Sequence, residues 1–291
     1  SAVWVNESGR PHFDWQFNEN GEIRLNQFDL FDQKIWPQVF RMKLFNGDLV
    51  KELEVSSGAN AFETNVPVAK NEINALFNSN AMGYGLFPVD YDLISDQWSR
   101  LSDLEKGSLL INAFEQLLEP SFVGEEGQYS PMQYLETLQW LMAQEKNSLL
   151  IGQVLSQTQR IYWNLLTLEQ RQEVAEELES VVFLAMDQLH DDPSIKEAYF
   201  NAFKNIAITE KSLDRLFKVW TGEESIQGVK LSENDMISLS AQLAIKIPSK
   251  ADQIIETQAE NIANPDSKKR YSFVSAALSP DKSERDTKFA S

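Results

Sequence analysis

The 291-residue sequence predicts a multi-domain β-then-α chain, a small antiparallel β-sandwich followed by an all-α irregular helical array of the superhelical, α-solenoid kind. Three observations carry that prediction. Apolar and polar residues alternate through about the first 70 positions, the pattern of strands buried on one face. After Asn71 the apolar period lengthens to about 3.6 and stays there. No strand–helix–strand alternation mixes the two regions, so they read as separate domains, 1–75 and 76–291, rather than as one α/β sheet.

In order, Pro11 to Phe17 alternates through Phe13, Trp15 and Phe17, and Asn20-Gly21 follows as a turn signal. Glu22 to Phe28 alternates through Ile23 and Leu25. Trp36 to Leu44 places its apolar residues on even positions, with Asn46-Gly47-Asp48 as the next turn. Leu49–Val55 and Phe62–Val68 complete the sheet. Gly83, Tyr84, Gly85 and Pro88 then interrupt the periodicity and read as a backbone bend joining sheet to helices.

Nine or ten short helices are expected between Asp92 and Ala290. Ile195, Ala198, Tyr199, Ala202, Phe203 and Ile206 form one apolar stripe; Val174, Leu178, Val181, Val182, Ala185 and Leu189 form another. Helix starts are marked by capping-box pairs at Ser102/Glu105, Ser130/Gln133 and Thr167/Gln170. Asp192-Pro193 and Asn264-Pro265 put a cap before a first-turn proline. No repeat recurs at the periods of named solenoid families.

Composition excludes several chemistries. With no cysteine the chain has no disulfide, no thiolate metal site and no cysteine nucleophile, and its compartment stays open. A net charge of −18 argues against nucleic acid, whose phosphates require clustered Lys and Arg. No apolar run reaches the length of a membrane span, so a soluble, acidic chain is expected. Ser1-Ala2-Val3-Trp4 lacks signal-peptide character and reads as the start of a cut fragment or an expression scar.

The charge is uneven. Residues 71–263 hold 13 basic and 30 acidic groups, whereas residues 264–291 hold six basic and four acidic. The cluster Lys268-Lys269-Arg270 therefore reads as part of a basic C-terminal helix docked on an acidic array.

The only histidines, His12 and His190, lie too far apart in sequence for a two-histidine zinc helix. His190 reads as a helix C-terminal residue, and His12 as an exposed residue on the polar strand face. Glu125-Glu126, Glu176-Glu177, Asp191-Asp192 and Glu223-Glu224 are adjacent pairs that do not share a helix face, and read as solvated surface. Trp98, Trp140, Trp163 and Trp220 adjoin apolar stripes and are expected to pack between helices. Nucleophile elbows, phosphate loops and dinucleotide fingerprints are lacking, so no catalytic, cofactor-binding or metal residue is assigned.

Trp4-Val5-Asn6-Glu7-Ser8-Gly9-Arg10-Pro11, then Gln27, then Trp36-Pro37 resembles the opening of the β-sandwich that follows the catalytic domain in M1-family zinc metalloaminopeptidases. Asn78-Ser79-Asn80-Ala81-Met82-Gly83-Tyr84-Gly85-Leu86-Phe87-Pro88-Val89-Asp90-Tyr91-Asp92, with Trp98 beyond, is similar to the family segment N-x-N, then G-Y/F-Y-R-V-N-Y-D and a Trp. Pro88 stands in place of the family Arg and Asp90 in place of its Asn. Leu101–Glu115 and Tyr134–Glu145 resemble the family's first C-terminal helices.

The resemblance implies the non-catalytic C-terminal part of an aminopeptidase. Its zinc, with the catalytic Glu and Tyr, would lie in an N-terminal catalytic domain of the same polypeptide, and this chain would be inactive without it. In such enzymes a zinc-bound water attacks the first peptide bond, and the helical domain caps the active site and gates peptide entry. Two other readings stand beside it: a helical-repeat scaffold that binds a protein partner without enzymatic role, and a glycoside hydrolase using two distant carboxylates.

Overall fold

The computed structural model describes residues 7–17, 22–29, 34–58, 61–65, 73–119, 129–189 and 191–290. The expectations at Trp4, Asn20-Gly21, residues 66–68, Glu125-Glu126 and His190 lie outside the described residues. Small antiparallel sheets come first and helices follow. The chain divides into two compact units, Ser1–Thr137 and Leu138–Ser291.

The first unit contains six strands: β1 (His12–Phe17), β2 (Glu22–Phe28), β3 (Val39–Asn46), β4 (Asp48–Ser56), β5 (Ala61–Asn65) and β6 (Asn74–Leu76). They form two three-stranded antiparallel sheets, ordered β1-β2-β5 and β4-β3-β6. Alternation works as expected: Phe13, Ile23 and Leu25 from one sheet and Phe40, Met42, Leu44, Leu53 and Val55 from the other join one buried cluster with Phe77 and Phe87. At about 1.5–3 kcal/mol for each fully buried large side chain, this cluster is the main force holding the sheets.

Three local expectations are corrected. The third strand begins at Val39 rather than Trp36, because Pro37 has no N–H to give a ladder. β6 falls after the predicted change of period; three residues are too few to display one. His12 is buried, only 3% exposed, because β1 starts beside the chain near Leu86 and the imidazole packs 5.5 Å from the Phe28 ring. Burial lowers its pKa, against the pull of Glu119.

Eleven α-helices follow among the described residues: α1 (Asp92–Gln97), α2 (Asp103–Leu118), α3 (Pro131–Gln144), α4 (Ser148–Asn164), α5 (Leu168–Leu184), α6 (Pro193–Ile206), α7 (Glu210–Thr221), α8 (Glu233–Lys246), α9 (Ala251–Asn261), α10 (Pro265–Ser275) and α11 (Lys282–Phe289). The capping boxes of α2 and α5 are closed as the sequence predicts, and Ser130 and Gln133 exchange the same two bonds before α3. Asp192 and Asn264 cap α6 and α10. Ser232 and Asp235 close a further box at α8, an aspartate version of the motif.

Within the second unit α6 packs against α4, α5 and α8, burying Ile195, Tyr199, Ala202, Phe203 and Ile206 of the expected stripe. Further on, α7 packs on α8, α8 on α9 and α9 on α10. Lys268, Lys269 and Arg270 are exposed rather than docked. Instead α10 is anchored by the buried Tyr271, whose hydroxyl lies 3.4 Å from that of Ser240. No helix is long and apolar enough to cross a membrane.

Candidate functional site

The segment that carries the family resemblance folds into a tight knot in the first unit. After β6 the chain turns through residues 77–80, and Asn78 and Ala81 both adopt φ of 52°, a conformation Asn tolerates better than Ala. The turn docks on β3: Ser79 N–H donates to the Arg41 carbonyl at 2.8 Å, and Arg41 N–H donates to Asn80 Oδ1 at 3.0 Å.

Gly83 and Tyr84 are then held by side-chain amides in place of neighbouring strands. Gly83 N–H donates to Asn78 Oδ1 (2.7 Å) while Asn78 Nδ2 donates to the Gly83 carbonyl (3.0 Å). Gln38 brackets Tyr84 in the same way, at 2.7 and 2.8 Å. Gly85 has φ of 145° and forms the expected bend. Both glycines are required by contact as well: a Cβ on Gly83 would meet Phe87 Cζ at 2.8 Å, and one on Gly85 would meet the Pro11 carbonyl oxygen at 2.6 Å.

Beside this knot lies a cavity of about 370 Å³ lined by Ala81, Gly83, Tyr84, Gly85, Arg10 and one face of α2. Ser108, Ile111, Asn112 and Glu115 recur at the 3.6 period and point the same way. Ser108 Oγ is engaged, donating to the Asn78 carbonyl at 2.7 Å. Arg10 pairs with Glu115 at 2.5 Å and with Glu119 at 3.5 Å, so two carboxylates face one guanidinium. Asn112 is 5% exposed and lines the cavity. These groups can bind and orient a ligand; they include no nucleophile–base pair.

Of the two departures from the motif, Asp90 has a structural partner. Val89 N–H donates to Gln116 Oε1 of α2 at 3.0 Å next to Pro88, and Asp90 accepts from Asn74 Nδ2 at 2.6 Å. Burial raises the Asp90 pKa, opposed by that bond. Gln27, quoted in the same resemblance, is buried and satisfied, donating to the Ser57 carbonyl and accepting from Trp36 N–H.

In the second unit a cavity of about 360 Å³ lies among α5, α6 and α7, with Glu176, Asp187, Lys211 and Arg215 on its wall. Glu176 lines it while its neighbour Glu177 faces solvent, as adjacent helix positions must. The buried Glu179 carboxylate accepts from Ile208 N–H, Thr209 N–H and the Thr209 hydroxyl, anchoring the start of α7. Trp98 and Trp220 are buried as expected, whereas Trp140 and Trp163 are partly exposed. Lys246 Nζ donates to the carbonyls of Lys204 and Asn205 at 2.8 Å, and burial above all brings its pKa down to about 8. Among the described residues, no group of three or more His, Asp or Glu is arranged to hold a metal ion.

No family model matches the chain, and no curated protein matches it in sequence. In fold it is similar to the solved structure of aminopeptidase A of Legionella pneumophila in complex with aspartic acid, at a TM-score of 0.59 and 14% identity. That match covers 98% of this chain and 37% of the other, so this chain spans little more than a third of that protein's length. At this identity the likeness is one of fold: the chain is built like a portion of an aminopeptidase.

Proposed function

We propose that this chain is the C-terminal, non-catalytic part of an M1-family zinc aminopeptidase, with a β-sandwich over 1–75 and a solenoid-like helical domain over 76–291. The observation that carries the reading is the fold match, which covers nearly all of this chain but a minor share of an aminopeptidase. The order of short motifs, Trp36-Pro37 and then Asn78 to Asp92, supports it independently.

On this reading the zinc, the activated water and the general base belong to a preceding catalytic domain of the same polypeptide. The helical domain caps that site and gates entry of peptide substrates. Residues 71–263, with 30 acidic against 13 basic groups, would make the potential of the enclosed chamber negative and draw in peptide ammonium groups.

The deciding experiment expresses this chain and the full reading frame that contains it, and measures bound zinc and hydrolysis of aminoacyl anilides. The full protein should carry zinc and activity and the isolated chain neither. Activity in the isolated chain, or an upstream frame without His-Glu-x-x-His and a later Glu, would overturn the reading. In the second case the scaffold alternative takes its place. The electrostatic part is tested separately: kcat/KM of the full protein should fall with ionic strength, and a flat response removes it.

A further inference from the structure

We propose that the cavity between the end of α8 and the segment joining α10 to α11 binds an apolar monocarboxylate, with its carboxylate on Arg285 and Ser279 and its hydrocarbon body against the walls. The proposal goes beyond the aminopeptidase reading and does not rest on it. The cavity measures about 410 Å³ and its walls include Ile245, Pro248, Ala277, Leu278 and Pro280, while Ser279 and Arg285 supply its polar side chains. Apolar walls with a few convergent polar groups are the usual form of a small-molecule site.

Local structure leaves both polar groups able to donate. Residues Ala276–Leu278 pack against α8 and α11, which sets the walls. Asp281 caps α11, its Oδ1 accepting from Ser283 N–H at 2.7 Å, so the nearest carboxylate on this segment is engaged by backbone. Arg285 Nη1 donates to the Ser279 carbonyl at 2.6 Å, and no carboxylate pairs with Arg285 among the described residues. A guanidinium has five N–H groups, so donors are left over. Ser279 is 7% exposed; its Oγ accepts from Asp281 N–H at 3.1 Å, and among the described residues no acceptor takes its own hydrogen.

Charge and shape then select the ligand. Three other cavities each include a carboxylate in their lining, Glu115 in one, Glu176 and Asp187 in another and Glu224 in a third, whereas the lining of this one has none. It also lies partly in residues 264–291, where six basic groups outnumber four acidic ones in an otherwise acidic chain. One fixed cation and one hydroxyl, both donors, call for a ligand end that only accepts and is negative, and a planar carboxylate matches the guanidinium fork. The apolar walls, with Ile245 56% exposed at the mouth, gain from covering by hydrocarbon.

The test uses the 291-residue chain labelled with ¹⁵N and titrated with sodium octanoate, with octanamide, butanoate and inorganic phosphate as comparisons. The expected result is a saturable shift of the Ala277 and Leu278 amide resonances and of Arg285 Nε–H. Octanoate should bind about tenfold tighter than octanamide, through charged hydrogen bonds, and at least about tenfold tighter than butanoate, through four further methylenes. Arg285→Gln should bring octanoate to the level of octanamide and leave octanamide unchanged. Ile245→Glu, at an exposed position of α8, should weaken octanoate about tenfold and serves if Arg285→Gln does not fold. No saturable shift up to about 10 mM octanoate, octanamide or phosphate binding as tightly as octanoate, no gain from butanoate to octanoate, or octanoate binding unchanged in the folded variants overturns the proposal.

Discussion

Replacing Gly85 by alanine tests whether the knot is held by close packing as described. The added Cβ would lie 2.6 Å from the Pro11 carbonyl oxygen, 2.9 Å from Pro11 Cγ and 3.2 Å from Phe13 Cε2, at a residue whose φ is 145°. Relief requires the backbone of residues 11–13 to move away from residue 86. That motion breaks the bonds Leu86 N–H to Pro11 O and Phe13 N–H to Leu86 O, both 2.9 Å. Overpacking contributes about 1–3 kcal/mol, the unfavourable φ about 1–2, and each lost bond about 0.5–1.5. Together they predict a loss of roughly 3–5 kcal/mol from the first unit, allowing for overlap among the terms. Gly47→Ala is the control, because its φ is 68° but nothing lies within 4 Å of the new Cβ. It should cost about 1 kcal/mol. Hydrogen exchange resolved to β1 and to residues 82–88, measured across a urea series, reads the first unit separately from the second. If Gly85→Ala loses no more than Gly47→Ala, the packing argument is wrong.

Other outcomes follow from single contacts. Glu179→Ala leaves the Ile208 and Thr209 N–H groups without their acceptor and should destabilise the second unit by about 2–4 kcal/mol in urea unfolding; a loss below 1 kcal/mol would show that water replaces the carboxylate. Lys246 has a folded pKa of about 8 against 10.5 for the ordinary side chain, so the unfolded state binds more protons between these values and stability rises with pH there. The cost of its burial is fully present below pH 8; thermal melts from about pH 7.5 to 9.5 should show the rise, and Lys246→Met should flatten it. His12 is lowered by burial, so its neutral form stabilises the fold and that contribution is lost as pH falls below about 6.5; His12→Phe should reduce the acid sensitivity of the first unit in the same melts. Ser102→Ala removes the cap and capping box of α2 and should cost about 1 kcal/mol, read by the same exchange experiment.

Much of the fold was legible in the residues because it rests on short-range rules. Phe13, Ile23, Leu25, Phe40, Met42 and Leu44 sit where alternation places them, since a strand with one buried face admits no other pattern. Ser102/Glu105 and Thr167/Gln170 announced their helices because the first N–H groups of any helix need acceptors close in sequence. The candidate site was legible only as a string, Asn78 to Asp92. Its residues were quotable, but their partners, Gln38, Arg41 and Pro11, are 38 to 75 positions away and no local rule connects them. Asn112 was quotable only within Leu101–Glu115, the stretch that resembles the family's first C-terminal helices, and nothing local says that it lines a cavity.

By itself, then, the sequence determined the order of strands and helices, their caps and the acidity of the helical region, because periodicity, capping and charge are properties of neighbours along the chain. Only the tertiary structure decided that His12 is buried, that Lys268, Lys269 and Arg270 face solvent while Tyr271 anchors α10, that Gly83 and Gly85 are required by contacts, and that Arg10, Tyr84 and Asn112 line one cavity. Burial and hydrogen-bond satisfaction depend on which distant segments meet, and periodicity does not say which.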